Sequence, residues 1–311
     1  MQDLHQLPKL RDSLSYLYVE HAILDKKDKA VEFIRESGRT LIPVANLSVL
    51  LLGPGTSITH AAITTLADSG CSVVWTGQEA TRFYAQGMGE TRKAHRLLHQ
   101  ARLVSDHALR LQVVERMYRA RFDADLPPDL TLSQIRGMEG VRVRQAYAEA
   151  SRQHGVPWQG RRYDRSKWER SDPVNRALSA ANALLNGLCH AAIVSGGYSP
   201  GLGFIHTGKQ TSFVYDVADL YKVEITIPVA FAAVAASAER VESRVRATCR
   251  ERFKEVRLLQ RILPDIDALL ALPSEEEVAP IEPDGDLEAD SSLPMQLWDP
   301  LEGGHDARDD S

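Results

Sequence analysis

The chain has 311 residues, 43% of them hydrophobic, with 37 Lys and Arg against 42 Asp and Glu. That apolar share supports a packed core and excludes a wholly disordered chain. No run of ~18 apolar residues is read in the sequence, which argues against a membrane span, and the opening MQDLHQLPKL lacks the basic-then-apolar pattern of a signal peptide.

The formal net charge of −5 hides a split. Residues 274–311 carry a net −12 and residues 1–273 a net +7, with a net +8 concentrated in 92–176. Such asymmetry points to a nucleic-acid or phosphate surface followed by an acidic tail. Arginine outnumbers lysine 28 to 9. Its planar fork suits phosphate oxygens, although a GC-rich genome produces the same bias. Cys71, Cys189 and Cys249 are far apart and form no CxxC. That excludes a disulfide framework or zinc knuckle and fits a reducing, cytoplasmic setting.

In chain order, residues 11–88 read as strand-rich. Leu14–Leu24 is dense in Tyr, Val, Ile and Leu, and Asp25–Lys29 reads as a turn. Ala30–Ile34, Thr40–Val44 and Leu47–Leu52 follow as short apolar runs, the last closed by Gly53-Pro54-Gly55. This spacing predicts a small antiparallel sandwich. One helix interrupts it, capped by Thr56 or Ser57 and running from Ile58 to Leu66, before a buried strand over Ser72–Thr76. From about residue 90 the periodicity turns helical, with Leu97, Ala101, Val104, Ala108, Leu111, Val114 and Tyr118 on one stripe. Arg102, Arg110, Arg116, Arg119 and Arg121 lie mostly off it. A second helix is predicted over Ser133–His154, then a polar, aromatic-studded loop over 155–172. An Ala-rich helix follows over Pro173–Ser195, and further helices cover 214–240 and 240–271. From Ser274 the acidic, Pro/Gly-rich composition predicts a disordered tail. The predicted class is α+β: an N-terminal β-sandwich domain (1–88), an all-α catalytic domain (89–273) and the tail (274–311).

The Gly53-Pro54-Gly55 turn is no phosphate loop, since the closing Gly-Lys-Ser/Thr is missing. No GxSxG elbow or HExxH helix is present. Three polar positions stand out. Glu139 is flanked by Gly137 and Gly140, which either exposes one carboxylate to close backbone approach or marks a frayed helix start. His206 lies in a Gly-flanked loop beside Lys209. That suits a phosphate or metal site, or else a buried, hydrogen-bonded histidine. Asp216 and Asp219 share a helix face at i, i+3, where a divalent ion or a basic neighbour would relieve their repulsion; Asp216 alone could instead serve the helix dipole. A Glu, His and Asp set suits Mg2+ or Mn2+ more than structural zinc. Beside a basic groove, such an ion suggests phosphodiester chemistry.

Several runs then carry a family resemblance. They are GPGTSITHAA at 53–62, LLHQARL at 97–103, RMYRARF at 116–122, RGMEGVRVRQAY at 136–147, WQGRRYDRSKWE at 158–169 and GYSPGLGFIHTGKQTSFVYDVADLYK at 197–222. In order and at compatible spacing, they make the chain resemble the CRISPR-associated spacer-acquisition integrases over about residues 10–270. These are the larger subunit of the adaptation machinery, and the likeness is greatest to the type I-E subfamily. The resemblance implies a β-sandwich followed by a helical domain. It implies that Glu139, His206 and Asp219 bind a catalytic Mg2+ or Mn2+, with Asp216 as a further catalytic carboxylate. It implies homodimers, two of which sandwich a dimer of a small ferredoxin-like partner subunit. The implied activity joins the 3′-hydroxyl ends of short foreign double-stranded DNA to CRISPR repeat DNA, with hydrolytic endonuclease activity alongside. A non-catalytic DNA-binding scaffold and a branched-DNA repair nuclease are the alternatives.

Among the basic residues, Arg136, Arg142, Arg161, Arg162, Arg165, Lys209 and Lys222 are candidates for contact with DNA phosphates. Trp158, Tyr163 and Trp168 are candidates either for stacking on unpaired bases or for ordinary packing. His21 stands where relatives can place an aromatic wedge, so wedging by this residue is not expected. Trp298, with Leu293, Met295 and Leu297, is a possible anchor in the acidic tail.

Overall fold

The computed structural model describes residues 16–273, apart from 29, 48, 78–82, 88–93, 123 and 162–171. The acidic tail, and with it Trp298, lies outside the described residues, as do Arg162, Tyr163, Arg165 and Trp168. The described chain up to residue 272 belongs to one compact unit. It is α+β, with eight strands before residue 88 and the long helices after residue 94.

The strands form two four-stranded sheets. The first has the order β1 (Tyr16–Val19), β5 (Val49–Leu52), β7 (Ser72–Thr76), β8 (Phe83–Gly87). The second has the order β4 (Gly38–Pro43), β3 (Ala30–Arg35), β2 (Ile23–Lys27), β6 (Ser57–Ile58). The expectation of antiparallel pairing holds only in part. β2–β3–β4 is an antiparallel meander, but β1–β5 and β5–β7 are parallel, and only β8 runs against that sheet. The reason is in the connections. Helix α1 (His60–Asp68) lies between β5 and β7 as a crossover. The near-continuous apolar runs of β5 and β7 are what a strand buried on both faces requires. Two local expectations also shift. Asp25–Lys27 belongs to β2, paired with Glu32–Ala30 of β3, and the turn begins only at Asp28, at φ 55. Thr59, rather than Thr56 or Ser57, caps α1, its side chain accepting from Ala62 N.

Alternation along β5 and β7 joins the two halves of the molecule. Leu50, Leu52 and Val73 face the β-region core with Leu24, Phe33 and Leu66 of α1. Val49, Leu51 and Val74 face the other way, into the core of the helical region. The change from strand to helix near residue 88 is therefore not a break in the core.

The helical region is built around α5 (Pro173–Ser195), capped by Asp172 with Pro173 in its first turn. By length and composition α5 could cross a membrane, which the sequence reading did not anticipate; 72% of its most apolar window is buried inside the protein. It packs against α6 (Ser212–Ala218), α7 (Ile227–Ala236), α8 (Val241–Glu255) and α9 (Leu258–Leu269). A single π-helical turn, Lys222–Thr226, enters α7. The stripe read as one helix from Leu97 to Tyr118 is two: α2 (His95–Ser105) and α3 (His107–Arg119), broken at Asp106, whose side chain caps α3. Leu97 and Leu111 are consequently exposed. α4 (Leu132–His154) opens on a Thr131/Gln134 capping box and ends at Gly155 in the left-handed conformation. The segment expected as one helix over 214–240 is divided into α6, the π turn and α7.

Candidate active site

The site is assembled from four places far apart in sequence: the end of α3, the middle of α4, the loop 199–211, and α6 with the π turn. Glu139 sits in mid-α4, not at a frayed end. A Cβ added at Gly137 would meet nothing within 4 Å, and one at Gly140 only the tip of Arg144. The helix surface around Glu139 is therefore open rather than packed.

Arg121, just past α3, reaches under Glu139. Its Nη1 donates to Glu139 Oε1 at 3.1 Å, and its Nη2 lies 3.7 Å from Asp219 Oδ2. The guanidinium side chain is 5% exposed, against 17% and 20% for the two carboxylates. It also lies over the Tyr118 ring, 4.8 Å from the centroid. Lys222, on the π turn, donates to Asp219 from the other side. The sequence reading did not assign Arg121 to the site. The available signal was a basic residue set inside the apolar run from Met117 to Phe122.

The loop that carries His206 is pinned by buried polar groups. Gln100 of α2 donates to the Ser199 and Leu202 carbonyls, both at 3.0 Å, and accepts from Ser199 N. Arg110 of α3 donates twice to the Phe204 carbonyl, at 3.0 and 2.8 Å. Asp216, fully buried, accepts from three successive backbone amides: Phe204 N at 2.6 Å, Ile205 N at 3.1 Å and His206 N at 2.9 Å. It also takes the His206 ring, with Nδ1 to Oδ1 at 2.7 Å. Asp216 thus serves neither a helix dipole nor a pair with Asp219. Both its oxygens act as acceptors, so Nδ1 is the donor in this bond. A carboxylate fixing one nitrogen of an imidazole is the usual support of a metal-binding histidine. Tyr215 stands edge-on to His206 at 5.8 Å, and Lys209 Nζ lies 5.8 Å from the centre of the Tyr215 ring.

The sequence-predicted ligands are therefore placed as two pairs, Glu139 with Asp219 and His206 with Asp216. Among the described residues no three His, Cys, Asp or Glu side chains gather closely enough to share one ion. The two carboxylates are spread over the two arms of the Arg121 guanidinium instead of closing on a point. The donor chemistry nonetheless fits a hard divalent cation: two carboxylates and an oriented imidazole, with positive charge already drawn between the carboxylates.

The basic candidates divide. Arg161, Lys209 and Lys222 line one open cleft of about 1730 Å³, together with His190, Tyr215 and Arg246. Arg161 is also tied to α5 through Asn175 and Ser179. Arg136 is exposed on α4, and Arg142 lies over the Phe122 ring at 5.5 Å; neither lines the cleft. Trp158 is a packing residue, stacked on Tyr147 at 4.5 Å and edge-on to Phe231 at 5.7 Å. His21 is exposed, with φ 50, its ring against Gly55 where a Cβ would come within 2.5 Å.

Comparison with known proteins places this arrangement. The family model described as "CRISPR associated protein Cas1" matches residues 15–126 and 124–243. A Thermus thermophilus protein named CRISPR-associated endonuclease Cas1 2 is 55% identical over 305 residues, covering 97% of this chain and 91% of that protein. A Geobacter sulfurreducens protein named CRISPR-associated endonuclease Cas1 is 46% identical over 272 residues, covering 86% and 89% respectively. The crystal structure of a TtCas1-DNA complex aligns with a TM-score of 0.76 at 57% identity, over 86% of this chain and 100% of that one. The matches run through both the strand-rich and the helical regions, and on that ground the chain belongs to the CRISPR-associated protein Cas1 family.

Proposed function

We propose that this protein is a divalent-metal-dependent DNA integrase and endonuclease of CRISPR adaptation, of the type I-E kind, acting in the cytoplasm. It captures a short duplex and joins its 3′-hydroxyl ends to CRISPR repeat DNA by transesterification. It works as a homodimer, two of which are bridged by a dimer of a small ferredoxin-like subunit. The observation that carries this reading is the convergence of Glu139 and Asp219 on one buried cation, Arg121, together with a His206 ring held in place by Asp216. Relatives named as CRISPR-associated endonucleases, and the DNA in the related crystal complex, support it.

Glu139, Asp219 and His206 would hold the Mg2+ or Mn2+. When bound, that ion polarises the scissile phosphoryl group and stabilises the attacking and leaving oxygens. The chain's own groups do the rest. Asp216 holds the His206 ring by Nδ1 and keeps the 204–206 backbone from moving. Lys209 and Lys222, in the cleft, offer ammonium donors to the phosphates flanking the reacting one. Arg161 and the exposed Arg136 extend positive charge along the backbone path. Contacts of this kind carry no base information, as is required of a protein that accepts varied fragments. They weaken steeply with salt.

The test is strand transfer by the purified protein with its small partner. A short duplex with free 3′-hydroxyls is offered a plasmid carrying a repeat array, with Mn2+, Mg2+ or EDTA. Joined product is expected with metal and lost in EDTA. It is also expected to be lost, by roughly a hundredfold or more, in Glu139→Ala, His206→Ala and Asp219→Ala. DNA binding with no joining or cutting under any metal would establish a scaffold instead.

A further inference from the structure

The four charged groups at the centre of the site cancel. Glu139 and Asp219 contribute two negative charges, and Arg121 and Lys222, in direct contact with them, contribute two positive ones. A divalent ion entering this set meets carboxylates whose charge is already matched. It also meets a buried guanidinium lying against both carboxylates. Repulsion from a buried unit charge is felt far more than from an exposed one.

The guanidinium is also incompletely satisfied. Its Nε and Nη2 are buried, with no hydrogen-bond partner among the described residues, and Nη2 is only in ion-pair range of Asp219. Such donors are costly to leave idle, and a guanidinium fork is well suited to pair with two oxygens of a phosphodiester. The ion and the phosphate therefore complement one another at this place. The ion supplies the charge that draws in the phosphate, and the phosphate takes up the donors that Arg121 and Lys222 would otherwise direct at the ion's carboxylates.

From this balance we propose that Arg121, seconded by Lys222, makes divalent-ion binding conditional on DNA. Without DNA it competes for Glu139 and Asp219 and keeps the ion weakly bound; with a phosphodiester present it turns to the phosphate and the ion binds tightly. Arg121 is a positioning residue acting through the two carboxylates. The inference rests on the proposed metal-dependent function and adds to it an order of loading. Its use is to keep a strand-cutting ion from being held where there is no strand.

The experiment is Mn2+ titration of the full chain, followed by the electron paramagnetic resonance signal of free Mn2+, with and without a short duplex, against a control of duplex alone. Wild type, Arg121→Gln, Arg121→Lys and Lys222→Gln are compared. In wild type, DNA is expected to raise Mn2+ affinity by roughly tenfold or more. In Arg121→Gln, Mn2+ is expected to bind roughly tenfold tighter than in wild type without DNA, and the gain from DNA to shrink by the same factor. Arg121→Lys, which keeps the charge, retains the coupling. Lys222→Gln, at a one-third-exposed position where folding is not at risk, moves in the direction of Arg121→Gln by a smaller factor. A residue that merely supported the ligands would show the reverse, since its loss would weaken the ion.

Arg121→Gln binding Mn2+ no tighter than wild type, or keeping the full gain from DNA, overturns the proposal while leaving the metal-dependent function standing. Should Arg121→Gln not fold, Lys222→Gln with an unchanged gain from DNA overturns it equally. Absence of Mn2+ binding by wild type under either condition removes both the function and this inference.

Discussion

Asp216 and Asp219 stand three residues apart at the end of one short helix, and the protein treats them in opposite ways. Asp216 is completely buried and held by three neutral backbone amides and an imidazole. Asp219 is partly exposed and held only by cations, Lys222 and Arg121. A carboxylate bound by backbone amides cannot exchange them without unfolding the loop they belong to. A carboxylate bound by side-chain cations can exchange one cation for another. The first serves to shape the site, and the second is available to work in it.

The strongest test of that contrast is to remove both carboxylates, one at a time. Asp216→Ala leaves three buried amides without an acceptor and the His206 ring without its guide. It is expected to cost about 3–5 kcal/mol of stability in urea unfolding. Loss of strand transfer is expected with it, through disorder of the 204–206 segment. Asp216→Ala with near-native stability would break the comparison.

His190 sharpens it from another side, as a buried titratable group with no carboxylate to support its charged form. Among the described residues its Nε2 has no hydrogen-bond partner, and its ring stacks on Phe83 at 3.6 Å between centroids. Burial lowers its pKa to about 4. Between the unfolded value near 6.5 and that folded value, the unfolded chain takes up a proton that the folded one refuses. Stability is therefore complete above about pH 6.5 and falls as pH drops toward 4, by roughly 3 kcal/mol over the whole window. Urea midpoints measured across pH 4–7 for wild type and His190→Phe test this, with the expected result a flatter profile in the variant. An identical slope in both would place the titration elsewhere.

The smallest expected effect is at Asp219. Replacing it by Asn weakens a pair with the partly exposed Lys222 and one with the buried Arg121, which keeps its hydrogen bond to Glu139, so stability should fall by about 1–2 kcal/mol, less than at Asp216. Strand transfer should nevertheless be lost. Large loss of function with little loss of stability at Asp219, against loss of both at Asp216, is the pattern that separates working from shaping carboxylates. Comparing thermal midpoints with joined product for the two variants side by side reads it directly.

Much of the helical region is legible because its ends are written locally. Thr131 and Gln134 close a capping box, Asp172 and Pro173 open α5, and Gly155 ends α4 in a conformation that a glycine adopts without strain. The break at Asp106 was equally local, an N-cap with its own hydrogen bond, but it lay inside an apolar stripe that continued in phase across it. The parallel pairing of β1, β5 and β7 was not legible. A buried strand has the same apolar run whichever way its neighbour points.

The site divides along the same line. Glu139, His206, Asp216 and Asp219 could be named from their types, their glycine neighbours and the resemblance of their surrounding runs. Residue type and spacing can also tell that two aspartates lie on one helix turn. They cannot tell that one of the two is sealed beneath a loop ten residues upstream. Nor can they tell that Trp158 is stacked on Tyr147 rather than open to a base. The apolar neighbours of Arg121 could mark it as a buried basic residue but not say what it meets, because its meaning comes from Glu139 on another helix and Asp219 nearly a hundred residues on. By itself the sequence determined the succession of strands and helices and the chemical types available, since these depend on interactions within a few residues. Only the tertiary structure decided which charges meet, which are buried and which cation stands between the carboxylates. Electrostatic energy depends on distance and on exclusion of water, and both are properties of the packed chain.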